Sequence, residues 1–110
     1  MHSNPMLAYR QQEHANVSPE RLLLLTYATA IHACRSGKRG LLVRSLEELL
    51  YGLDLDRGEL AQSLLRMYEY LLHAAREGRV EEVETHLREL KKAWEEAFGL
   101  SLIHIPSPRD

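Results

Sequence analysis

The sequence has 110 residues, 45% of them hydrophobic and 27% charged, with a formal net charge of −2. That size suits one domain with a core of its own, and the balance is that of a globular chain rather than a disordered or collagen-like one. It excludes the cationic surplus that nucleic-acid binding demands, and no apolar run approaches the ~20 residues of a membrane span.

The chain opens on "MHSNPMLAYRQQEHA", which lacks the charged-then-apolar pattern of a secretory leader. Cys34 is the only cysteine, so no internal disulfide forms and a reducing, cytoplasmic setting is expected. Within residues 4–15, Met6, Leu7 and Tyr9 stand at near-helical spacing, but the piece is too short to hold itself as a helix. It reads as a short N-terminal arm, a movable cover for an apolar groove.

A strong start signal follows. Ser18 can accept from the free amides of a first turn, Pro19 fits the first helical position, and Val17 and Leu22 can staple the entry. The spacing predicts a helix over 19–36, broken by Gly37 and Gly40 in "SGKRG". Its four consecutive leucines, Leu22 to Leu25, spread apolar groups around more of the helix than one core face requires.

A second helix is expected over 41–53, with Leu42, Leu46, Leu49, Leu50 and Leu53 on one face. In "DLDRGE", Asp56 reads as a cap, Glu59 as its reciprocal partner, and Leu55 with Leu60 as a staple, starting a helix over 57–77. That helix has one stripe of Leu60, Leu64, Met67, Leu71 and Ala74, and another of Ala61, Leu65, Tyr68 and Leu72. Gly78 stops it. The last helix, 79–98, carries Val80, Val83, Leu87, Leu90, Trp94 and Ala97 at the 3,4,3,4,3 spacing of a helix–helix seam. Leu64, Met67, Leu71, Leu87, Leu90 and Trp94 are the expected interior. The tail over 100–110, "LSLIHIPSPRD", is limited as a strand by Pro106 and Pro108, and reads as flexible or as a remnant foreign to the fold.

Four helices joined by short turns give an all-α, antiparallel up-down-up-down four-helix bundle over residues 1–99, with both outer hairpins at the same end. The second stripes need something to cover them: internal packing, the N-terminal arm, or another chain. The residues expected to face a partner are Leu7 and Tyr9 on the arm, Leu23, Tyr27 and Ile31 on the first helix, and Leu65, Tyr68 and Leu72 on the third.

The chemistry-bearing residues point away from catalysis. The six histidines form no HExxH and pair with no CxxC, so no metal or cofactor is expected. Glu81, Glu82, Glu84, Glu89, Glu95 and Glu96 lie on the outer face of a seam helix, where carboxylates are solvated. Arg35, Lys38 and Arg39 read as a solvated hairpin tip, Ser18 as a cap without a base, and Cys34 as a small buried hydrophobe.

Taken together, these residues resemble the FliS family of flagellar export chaperones. The opening "NPMLAYRQQEHANVSPERLLLLTYATAI" lines up on that family's Asn-Pro, Ala-Tyr-x-Gln, Ser-Pro-Glu and leucine-rich run to a tyrosine, here Asn4–Pro5, Ala8–Gln11, Ser18–Glu20 and Leu22–Tyr27. "GELAQSLLRMYEYLLHA" and "LRELKKAWEEAF" are similar to its Gly-Glu-Ile-Ala start, its Leu-Tyr-Asp-Tyr centre (Met67 to Tyr70) and its Leu-x-x-Trp ending. The chain departs from the pattern at Ala28 and Thr29, where Asp-Gly is usual, and both outer hairpins are several residues shorter. The resemblance implies a helical bundle that binds the disordered C-terminal segment of flagellin in apolar grooves and works with the export apparatus, without cofactor or enzymatic activity. The free protein is then a monomer or weak dimer, with no nucleic acid and no membrane insertion. The rival reading is a structural or regulatory bundle that dimerises through the same apolar surface.

Overall fold

The computed structural model describes residues 5–10 and 18–99. Val17, Gln11, the rest of the arm and the tail from residue 100 lie outside the described residues. Among those described there are four α-helices: α1 (Pro19–Arg35), α2 (Arg39–Tyr51), α3 (Glu59–Arg76) and α4 (Val80–Ala97), preceded by a 3-10 turn at Pro5–Ala8. The all-α bundle expected from the sequence is thus the observed fold. No strand occurs among these residues, only an isolated antiparallel bridge between Tyr9 and Leu53.

The outer hairpins are two copies of one device. At each, a glycine with positive φ (68° at Gly37, 83° at Gly78) follows the helix, and the next amide donates back to a carbonyl of the last turn. Lys38 N–H reaches the Ala33 oxygen, and Arg79 N–H reaches the Ala74 oxygen, both at 2.9 Å. This glycine-dependent closure satisfies carbonyls that a helix end would leave orphaned. Because Gly37 completes the turn alone, α2 restarts at Arg39, and Gly40 lies inside the helix rather than breaking it. The two tips touch: a Cβ on Gly78 would stand 3.0 Å from the Arg39 guanidinium. Both hairpins therefore do sit at one end.

The start of α1 follows its sequence signal, with Ser18 Oγ accepting from Arg21 N–H at 3.2 Å. The start of α3 does not. Asp56 lies in a 3-10 turn, Leu55–Arg57, and its own amide is capped by Asp54 Oδ1 at 3.2 Å. With two aspartates in "DLDRGE", the earlier one captures the chain. The residue before α3 is Gly58, at φ 108°, a backbone state that L side chains rarely adopt, so no side chain caps this helix. Leu55 and Leu60 are both exposed, so the expected staple is absent.

In the bundle, α1 packs against α2 and α4, and α2 packs against α3, while α3 meets α4 more loosely. The core is filled by Tyr27, Leu42, Leu46, Leu49, Leu53, Tyr68, Leu71, Val83 and Leu87, all under 2% exposed. Burial of each large apolar group contributes roughly 1.5–3 kcal/mol. Leu64 and Trp94 are interior as expected, but Met67 and Leu90 are only half-buried, because the loose α3–α4 contact leaves a furrow lined by Met67, Tyr70 and His86. The four leucines divide their work: Leu23 is in the core, Leu22 and Leu24 stand at its shoulders, and Leu25 is 52% exposed.

Trp94 offers a simple check on this packing. Its ring stacks at a tilt on Phe98, with centroids 5.5 Å apart, and is buried. Its fluorescence should be blue-shifted in the native protein and should red-shift in one cooperative unfolding step. A water-exposed emission maximum before unfolding would contradict the heptad assignment.

Candidate functional site

The N-terminal turn docks where α2 ends. Ala8 is buried, and two backbone bonds pin the segment: Asp54 N–H donates to the Ala8 oxygen at 2.8 Å, and Arg10 N–H to the Gly52 oxygen at 3.0 Å. Between these bonds Tyr9 turns inward. Its ring comes close to Gly52, where a Cβ would stand 3.3 Å from Tyr9 Cδ1 and 3.2 Å from the Glu48 carbonyl oxygen. Gly52 is therefore set by close approach rather than by backbone conformation.

Behind Tyr9 runs a buried chain of hydroxyls that joins four elements. Tyr9 shares a 2.6 Å hydrogen bond with Tyr68 on α3, Tyr68 bonds to Tyr27 on α1, and Trp94 Nε1–H on α4 donates to the Tyr27 oxygen at 3.0 Å. The Tyr9 ring also meets Trp94 edge-on, with centroids 5.8 Å apart. Burial holds all three phenols far above the usual tyrosine range, and each is raised further by the charge its neighbour would carry. They remain neutral at physiological pH, so the chain works as an alignment device and not as a proton store. Its polar groups are paired within a dry interior, where such networks fix a single arrangement.

Beside the turn lies a cleft of about 480 Å³, between Met6, Tyr9 and Arg10 on one side and Leu22, Leu23, Thr26, Leu49 and Tyr51 on the other. Tyr51 is 67% exposed at its rim. Of the residues expected to meet a partner, Tyr9, Tyr27 and Tyr68 are bonded into one chain, and Tyr9 and Leu23 line this cleft. Leu7 is exposed at 47%. Ile31 and Leu72 are buried and Leu65 is half-buried, and none of the three lines the cleft. Sequence reasoning gave Trp94 a core role only and missed Gly52 and Asp54. The glycine in "YGLDLD" signals a helix end, but nothing local shows that residues 8 to 10 would return to it.

The hydroxyl chain consists of phenols and an indole, and the polar groups of the cleft beside it are Arg10, Thr26 and Glu48. Among the described residues no three His, Cys, Asp or Glu side chains could hold a metal ion, and no helix is long and apolar enough to cross a membrane. A protein-family model described as "Flagellar protein FliS" matches residues 2–100, nearly the whole chain and both sides of the cleft. No curated protein and no solved structure matches the chain.

Proposed function

The chain belongs to the FliS family, a family of flagellar export chaperones and not of enzymes, and from that premise we propose that it holds the C-terminal segment of flagellin in the cytosol before secretion. The observation that carries this reading is the docked N-terminal turn. It holds an apolar segment, with Met6 and Tyr9, across an open cleft from Leu22, Leu23 and Leu49, so that an apolar surface stands where a client's apolar residues could lie. The turn is held by a short set of bonds and one half-buried tyrosine, few enough for a competing segment to replace. Once it moves, Leu23, Tyr27 and Tyr68 become reachable, and Ile31, Leu65 and Leu72 extend the contact along α1 and α3. Leu7 and Tyr9 then either leave or repack over the client.

The energetics suit a holding role. A disordered client gains order as it buries apolar surface, so affinity is the surplus of burial over ordering cost, and no ATP is required. Titrating a synthetic flagellin C-terminal peptide into the protein should give one-to-one binding, a negative heat-capacity change and a gain of helix in the peptide. An unchanged peptide circular dichroism spectrum, with no heat at high micromolar concentration, would sink the proposal. A tight obligate dimer in sedimentation, with no peptide binding, would favour a structural bundle instead.

A further inference from the structure

On the face of the bundle away from α2 and α3, a furrow of about 320 Å³ runs between α1 and α4. Its floor is Ala28 and Ile31, and its walls carry His32, Arg35, Arg88, Lys91, Lys92 and Glu95. Four of the chain's 14 lysines and arginines thus converge on one groove of a protein whose net charge is −2. The carboxylates at hand do not neutralise them. Glu84 serves two cations, Arg35 at 2.9 Å and Arg88 at 3.9 Å. Glu95 pairs with Lys91 at 3.0 Å, and Lys92 has no ion pair among the described residues. Two positive charges are left over (four cations against Glu84 and Glu95).

Both flanks of α4 carry both signs: Glu84 and Glu95 lie with the cations on the α1 side, and Arg79 pairs with Glu82 and stands over the Tyr70 ring on the α3 side. Arg88, Lys91 and Lys92 face the α1 side, whereas Glu82 bonds to Tyr70 of α3 and His86 meets the same ring edge-on.

We propose that the α1–α4 furrow is a docking site for an acidic, helix-forming protein segment. Its carboxylates would meet Arg35, Arg88, Lys91 and Lys92, and its small or apolar face would lie over Ala28 and Ile31. The inference rests on charge and shape and shares only Ile31 with the flagellin reading. Ala28 has no side chain beyond its Cβ to keep a helix from coming close. An extended polyanion or an anionic membrane fits less well, because both would meet the negative remainder of the surface as well as the furrow. Carboxylates spaced one turn apart on a helix are confined to the furrow itself.

The test uses the full chain and a fluorescein-labelled peptide of about 18 residues, matching α4 in length. It is built from Glu, Ala and Leu, with glutamates along one flank. Anisotropy should show saturable binding that weakens roughly tenfold as ionic strength rises from about 0.05 to about 0.5 M. Arg88→Gln with Lys92→Gln should weaken it about tenfold, and so should Ala28→Asp, which sets a carboxylate on the floor. Lys38→Gln with Arg39→Gln, at the hairpin tip, should leave it unchanged. All these positions are exposed, and Trp94 emission reports whether each variant keeps its fold. Absence of saturable binding, equal binding of a peptide with lysine in place of glutamate, or insensitivity to the furrow substitutions would overturn the proposal. So would tighter binding of single-stranded DNA or of vesicles of anionic lipid, which would mark a general polyanion surface.

Discussion

Replacing Tyr68 with phenylalanine is expected to destabilise the protein by about 2–4 kcal/mol, although it removes a single oxygen atom. The hydroxyl stands in the middle of the chain, bonded to Tyr9 on one side and Tyr27 on the other. Its loss breaks both bonds at once and leaves the Tyr27 hydroxyl short of a partner in the core and the half-buried Tyr9 hydroxyl short of one at its edge, at up to roughly 1–3 kcal/mol for each unsatisfied group. Tyr27 keeps the indole of Trp94, which limits the damage at that end. Tyr9→Phe removes only the last link and should cost about 1 kcal/mol. For a domain this small, the larger figure lowers Tm by roughly 10–20 °C. Urea unfolding followed by Trp94 emission measures both variants. If Tyr68→Phe fell within about 0.5 kcal/mol of the parent, as a neutral surface change would, the hydroxyl chain would not be a structural tie.

Raising the pH should produce the other large effect, a steep loss of stability beginning near pH 9 to 10. Tyr9, Tyr27 and Tyr68 are neutral when protonated, and burial raises each in the folded state above its ordinary value of 10. Cys34 shifts in the same sense, its thiol pushed up to about 11, mainly by burial and then by the charge of Glu84. A group raised in this way contributes its full stability below its unfolded pKa. That stability drains away as pH climbs from the unfolded value toward the folded one, because only the unfolded chain releases the proton. Each such group costs about 1.4 kcal/mol per pH unit in that window, so three tyrosines together remove up to about 4 kcal/mol between pH 10 and 11. That is a large part of the 5–15 kcal/mol typical of a folded domain. Tyrosinate absorbance from Tyr9, Tyr27 and Tyr68 should therefore appear only together with the loss of helix. Ionisation of these three tyrosines without loss of helix would show that the chain is open to water.

The helices were legible because their signals are local. Ser18 and Pro19 announce α1, the 3,4,3,4,3 spacing announces α4, and single glycines at 37 and 78 close the hairpins. The errors arose where two local signals competed or where the partner was remote. Asp54 and Asp56 both qualify as caps, and the choice between them depends on Gly58, whose backbone state the sequence does not announce. Met67 and Leu90 occupy seam positions, but seam spacing cannot report that α3 and α4 stand slightly apart. The tyrosine chain is the extreme case. Tyr9, Tyr27, Tyr68 and Trp94 are each unremarkable in their own segment, and only the folded bundle brings residues 59, 41 and 67 positions apart into hydrogen-bond contact. Tyr27 and Tyr68 fall on stripes that were expected to meet a partner, and the partner they meet in the free chain is Tyr9.

If the N-terminal turn occupies the place of a client segment in the free chain, removing it should open the site. The chain and a version lacking residues 1–15 are each titrated with the flagellin C-terminal peptide, with Trp94 emission and circular dichroism confirming that the bundle stays folded. If the N-terminal turn competes with the client, the truncated protein no longer has to open before binding, so its affinity should rise, by roughly tenfold if the closed state is favoured by about 1.4 kcal/mol. Without its cover it should also self-associate more than the full chain. Equal or weaker peptide affinity, together with unchanged monodispersity, would contradict the reading of this segment as a displaceable cover.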